Sequence, residues 1–130
     1  MSVAAHIHKK LTTTSNIQSA VGTRIFPSVV PQGESFPCIV YNTTSIEPND
    51  SKSGPSTEDR VNIQIDVYGS TYKQTNTIHE RVRTALDRYR GTLEGTTFDY
   101  VFFIDYRDEG RDEQRDVFRL IQQYQIRVKR

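Results

Sequence analysis

Between Arg60 and Gly69 apolar and polar residues alternate: Val61, Ile63, Ile65 and Val67 are separated by Asn62, Gln64, Asp66 and Tyr68. A period of two predicts a strand with one buried face and one turned to water or a partner. Two more such strands close the chain. Thr97–Arg107 places Phe98, Tyr100, Phe102, Ile104 and Tyr106 on one side. Val117–Val128 places Phe118, Leu120, Tyr124, Ile126 and Val128 on one side, interrupted by Gln122. A polar connection, Asp108–Asp116, makes the pair a hairpin. Cys38–Ser45, rich in β-branched residues, is a further strand behind Pro37, and Arg24–Phe26 is a short one stopped by Pro27.

Helical spacing occurs twice. Val3, Ala4, Ile7 and Leu11 form one apolar face behind a candidate cap, Ser2. The run Thr12–Asn16 weakens that helix, because these side chains compete for nearby backbone groups, and a short helical turn follows up to Gly22. From Thr71 to Tyr89 the apolar stripe is Thr75, Ile78, Val82, Ala85, Leu86 and Tyr89, with Gly91 as its expected stop. Gly91–Gly95 suits a helix-to-strand turn and lacks the lysine of a nucleotide-binding loop.

The stretch 46–57 (Ile46–Thr57) holds Pro48, Asn49, Asp50, Lys52, Gly54 and Pro55 and offers little to bury, so it reads as a long mobile loop. The order of elements predicts an α+β fold: a mainly antiparallel sheet of about four strands, two helices packed on one face, and a long flexible loop between strands. With 130 residues the chain fits one domain, 1–130.

Composition narrows the function. A net charge of +1 supplies no overall field to attract nucleic acid or an anionic membrane. No apolar run is long enough to span a bilayer, and Met1–Leu11 lacks the apolar core of a signal peptide, which predicts synthesis and use in a cytoplasm without membrane contact. Cys38, the single cysteine, reads as a small buried hydrophobe. His6 and His8 are two residues apart and diverge on a helix, which is poor metal geometry; His79 reads as packed or surface imidazole. Arg81, Arg83, Arg88 and Arg90 form a basic set diluted by Glu80 and Asp87, and read as a solvated helix face. No cofactor, metal or catalytic set is expected.

One acidic group is worth weighing. Asp99 and Asp105 share strand parity beside Asp108, Glu109, Asp112, Glu113 and Asp116, and paired carboxylates on strands can hold the divalent ion of a nuclease. Interleaved Arg107, Arg111 and Arg115 favour a salt-bridged, solvated hairpin instead. A third reading is a monomeric adaptor. Against it, Asp99, Val101, Phe103 and Asp105 put apolar residues opposite Phe102 and Ile104, and Tyr68 points away from Val67. A sheet with large apolar groups on both faces needs cover on both, and a second copy could supply it.

Several segments in this order resemble the phage tail-completion (tail-to-head joining, tail terminator-like) family. They are Val21–Pro27 with Pro31-Gln32-Gly33, then Phe36-Pro37-Cys38-Ile39-Val40-Tyr41, then Val61–Gly69 and the helix with Val82, Ala85 and Leu86. The resemblance covers nearly the whole chain and rests on strand and turn patterns, so it carries no active site. It implies a non-enzymatic virion protein at the head-proximal end of a phage tail: a ring, commonly a hexamer, that stops growth of the tail tube and meets the head connector. The implied partners are other copies, the tail tube protein and the head completion or connector protein, with DNA passing through the lumen unbound. The candidate interface residues are Asn49, Asp50, Lys52, Tyr68, Val101, Phe103, Arg107, Glu109, Arg111 and Glu113.

Overall fold

The threonine-rich break near the N-terminus divides two helices, as its chemistry predicts. Helix α1 spans Val3–Thr13 and α2 spans Ser15–Val21. Ser2 caps α1 by accepting the Ala5 amide at 3.1 Å. At the other end the hydroxyls of Thr13 and Thr14 bond back to the carbonyls of Lys9 and Lys10 at 2.6 and 2.7 Å. Gly22, at φ +61°, then ends α2. The computed structural model describes residues 2–48 and 58–129.

The strands are β1 (Ile25–Pro27), β2 (Cys38–Pro48), β3 (Glu58–Gly69), β4 (Gly91–Leu93), β5 (Thr96–Asp112) and β6 (Val117–Lys129); helix α3 (Tyr72–Leu86) joins β3 to β4. They form one six-stranded sheet in the order β1-β2-β3-β6-β5-β4. All neighbours are antiparallel except β1 and β2, which are parallel. The architecture therefore departs from the expected four antiparallel strands with two helices: it is a mixed six-stranded sheet with three helices. Two causes are local. At three residues β4 is too short to show periodicity, whereas β1 falls on the short strand expected at Arg24–Phe26. Gly91, expected to stop the helix, instead opens β4, while α3 ends at Leu86 and the chain turns through Arg88 at φ +64°.

The helices pack on one face of the sheet. Ile7, Leu11, Ile17, Val21, Ile78, Val82 and Leu86 meet Val61, Ile63, Ile65 and Val67 of β3 and Tyr124, Ile126 and Val128 of β6 in one core. Burying such a side chain is worth roughly 1.5–3 kcal/mol, so this face dominates stability. Gln122, the polar break in β6, is fully buried. Its amide nitrogen donates to the His79 carbonyl at 2.7 Å, and its oxygen accepts the Tyr124 hydroxyl. The loop start Ile46–Pro48, expected outside any strand, belongs to β2; Asn49–Thr57 lies outside the described residues.

Strand β5 overturns the simple alternation. Its register against β6 shifts between Phe98 and Tyr100, between Phe103 and Asp105, and between Asp108 and Gly110. Each inserted residue exchanges the faces taken by the residues after it. Phe98 and Val101 are consequently both in the core, and Phe103 packs against it. Phe102 faces the other way, in the cross-strand row Asn62–Gln125–Phe102. Phe98, Tyr100, Phe102, Ile104 and Tyr106 do not form one side.

Candidate assembly surface

The groups with chemical potential are mostly committed inside the fold. His6 is fully buried, stacked on Phe98 with ring centroids 3.6 Å apart. Its Nδ1 lies 2.8 Å from the Thr96 carbonyl and its Nε2 2.9 Å from the Tyr89 hydroxyl. Only the carbonyl is an obligatory acceptor, so Nδ1 carries the proton and donates, while Nε2 accepts from Tyr89. Burial holds the pKa of His6 below its usual value, with Lys10 adding to the shift and the Thr96 bond opposing it. His79 is likewise pushed down by burial, and its Nδ1 accepts from the Gln122 amide at 2.7 Å. Cys38 is fully buried and its thiol is pushed up to about 12, first by burial, so it stays protonated and inert.

The face of the sheet away from the helices has two parts. Toward the end bearing Cys38, Val40 and Ile121, the chain covers itself. Phe36, from the segment between β1 and β2, has its ring centroid 6.1 Å from that of Tyr68. Asp66, 3% exposed, receives Arg119 Nη2 at 2.6 Å and Gln64 Nε2 at 2.9 Å. Toward the other end lies a half-buried polar array: Asn62 donates to Ser45 Oγ at 2.7 Å, and Gln125 donates to Asn62 at 3.4 Å. Arg60 and Arg127 sit opposite one another here, bridged outward to Glu47 and Glu58.

The surface with the most exposed apolar groups follows β5; there Phe102 packs on Tyr100 at 4.6 Å and Tyr106 on His79 at 4.9 Å between ring centroids. Phe102, Ile104 and Tyr106 are exposed, at 39%, 53% and 51%. Beyond them the strand runs into the turn 113–116 and back along β6. This hairpin is held by exposed ion pairs: Arg111 Nε to Asp116 at 2.8 Å, Arg107 to Glu109 at 3.7 Å and Arg115 to Asp112 at 3.9 Å. Asp112 also accepts the Gln114 amide at 3.0 Å, shaping the turn.

Against the candidate interface residues, the structure brings Arg107, Glu109, Arg111 and Glu113 together on the exposed hairpin. Tyr68 is half-buried under Phe36 at the hairpin's base, in the row Tyr68–Arg119–Gly110. Phe103 is half-buried on the ring of Tyr124, with the Arg83 guanidinium 3.8 Å from its centroid. Val101 is a core residue of this chain. Asn49, Asp50 and Lys52 lie outside the described residues. Sequence parity missed Phe102 and Ile104 as exposed, since a bulge has no signature in alternation; Tyr106, beyond two shifts, is back on the helix side opposite Gln122, half exposed beside the His79 ring. The shifts at Asp99 and Ile104 also break the parity that paired Asp99 with Asp105. Among the described residues no three His, Cys, Asp or Glu side chains cluster as metal ligands.

Comparison with known proteins decides the family. The profile of the family described as "Tail completion protein gp17" matches residues 5–129. The chain belongs to the tail completion protein gp17 family. It is a structural protein of a bacteriophage virion tail. Among solved structures, a chain from the virion of a native gene transfer agent particle shares the fold of this tail completion protein. The TM-score is 0.79 at 17% identity, covering 99% of this chain and 100% of the other. No curated protein matches the sequence.

Proposed function

We propose that this tail completion protein caps the head-proximal end of the tail tube as a ring of copies, six being the expected number. The ring ends tube growth and joins the tail to the head connector without catalysing a reaction. Family membership over residues 5–129 carries this reading. The geometry supports it: the buried histidines, Cys38 and Gln122 are spent on packing, while exposed apolar and charged side chains gather along β5 and its hairpin. On this reading Arg107, Glu109, Arg111 and Glu113 meet the tube or the connector. Tyr68 and Phe103 lie beneath that surface and position it. Asn49, Asp50 and Lys52 are further candidate contact residues on this reading. Residues 107–116 carry five acids against three arginines, so a hairpin turned to the lumen would repel passing DNA.

The test is electron microscopy of particles made without this protein. Overlong tubes and detached heads are expected. Tubes of normal length joined to heads would overturn the reading.

A further inference from the structure

The sheet is bounded by two three-residue strands, and each covers only part of the long strand beside it. β1 pairs with β2 at Ile39–Tyr41. From Asn42 to Pro48 that margin of β2 has no strand neighbour among the described residues. β4 pairs with β5 at Thr96–Phe98, and the Arg88 amide takes the Val101 carbonyl at 2.8 Å. From Phe102 to Asp112 the margin of β5 likewise has no strand neighbour among the described residues. An unpaired margin presents a row of backbone donors and acceptors, and proteins usually blunt it with charge or cover. Here the hairpin end of β5 is charged, but the margins also carry exposed apolar groups. Of the six large hydrophobic residues exposed among the described residues, four lie on these margins: Ile46 on β2, and Phe102, Ile104 and Tyr106 on β5.

Strand direction selects the occupant. Each step from β2 through β3 and β6 to β5 is antiparallel, so β2 runs opposite to β5. The two margins lie on opposite sides of the sheet. A neighbour generated by rotation about an axis along the strands therefore presents its β2 to this β5 in antiparallel sense, and keeps its own β5 for the next copy. Such a head-to-tail contact repeats and closes into a ring when the rotation fits. A two-fold contact of β5 on β5 would leave the β2 margin and Ile46 bare. The free stretches lie toward opposite ends of the sheet, so the pairing is staggered, as for strands tilted to the axis of a closed barrel. The irregularities at Thr44 and Ile104 fall within the two margins and add the bend that a small ring needs.

We infer that the free margin of β5 (Phe102–Asp112) is the docking strand for the β2 margin (Asn42–Pro48) of another copy of this chain, so that the sheet continues from subunit to subunit. The inference rests on the ring assembly proposed above.

It is tested on tails assembled without the protein and then supplied with Ile46→Cys/Ile104→Cys, treated with a short bis-maleimide; Cys38 is buried and takes no label. A ladder of covalent multimers is expected from the double variant and from neither single variant. Dimers from Ile104→Cys alone would show β5 meeting β5 and overturn the inference. So would a double variant that mounts on tails and restores head attachment yet gives no multimer. If the double variant does not mount, a charge comparison decides. Ile46→Lys is expected to lower the amount on tails by at least about tenfold, a loss typical of a buried contact residue. Val29→Lys, at a somewhat more exposed apolar site off both margins, is expected to leave it unchanged. Equal loss, or no loss, in both overturns the inference. Failure of the wild-type chain itself to mount would count against the ring reading, which separates the two failures.

Discussion

The helix-side face and the β5 margin are built from the same residue types and put them to opposite use. On the helix side Phe98, Val101 and Tyr124 are at most 1% exposed, and the polar atoms among them are bonded: His6 to Thr96 and Tyr89, Gln122 to His79 and Tyr124. Along the margin Phe102, Ile104 and Tyr106 are about half exposed beside ion pairs that are themselves exposed. The boundary between the two lies within one strand, at its bulges. Stability is thus concentrated on one side of the molecule, and the other side is free to change with little cost to folding.

If that contrast holds, the largest effect comes from Phe98→Ala. It removes a fully buried ring stacked on His6 and in edge contact with Tyr89. A loss of about 3–5 kcal/mol is expected from urea unfolding. A loss below 1 kcal/mol would mean that the core is not where the stability lies. Next is Tyr124→Phe, which keeps the ring and leaves the buried Gln122 oxygen without its donor. A cost of about 1–3 kcal/mol is expected, with little change in assembly on tails.

Acid sharpens the contrast further. His6 and His79 are held neutral by burial, with folded pKa values below 6.5. The unfolded chain therefore binds more protons than the folded one in the range just below 6.5, and stability rises with pH there. Their contribution is fully present above 6.5 and is lost as pH falls toward the folded values. For His79 the neighbouring Glu80 opposes the shift and Arg83 supports it. The urea midpoint is expected to drop between pH 7 and pH 5, and His6→Phe, which keeps the stack on Phe98, is expected to flatten that dependence. A slope unchanged in this variant would assign the effect elsewhere.

Much of this division was legible in the sequence, though not all of it. The β3 alternation, the α3 stripe and the Ser2 cap arise from periodicity and capping chemistry, and each is found near its expected place. The buried role of Cys38 was legible from its apolar setting. His6 was not legible as a core residue, because its partners Thr96 and Tyr89 come from distant elements. Ala4, expected on the buried face, is exposed, while His6 is fully buried. Of the two short outer strands, β4 was hidden by its length, while β1 was legible as Arg24–Phe26. The exposure of Phe102 and Ile104 was hidden by bulges in β5, which are set by pairing with β6 and leave alternation in the sequence intact. The hairpin residues were legible as a surface from charge alone, whereas Val101 was misplaced by the same bulge that exposes Phe102.

The smallest effect on folding is expected at the hairpin, and it is the most informative about the division. Arg111 and Asp116 form the best-aligned ion pair of the turn, but their side chains are 48% and 76% exposed. Solvent and salt screen such a pair, and ordering two long side chains offsets what attraction remains. A double-mutant cycle with Arg111→Ala and Asp116→Ala should return a coupling below about 1 kcal/mol, falling further at high salt. The unfolding midpoint should barely move. The same variants are expected to reduce attachment of heads to tails, because the side chains lost are those that face outward. A coupling well above 1 kcal/mol that persists in salt would make the hairpin part of the stabilising body, and the margin would no longer be the expendable side of this fold.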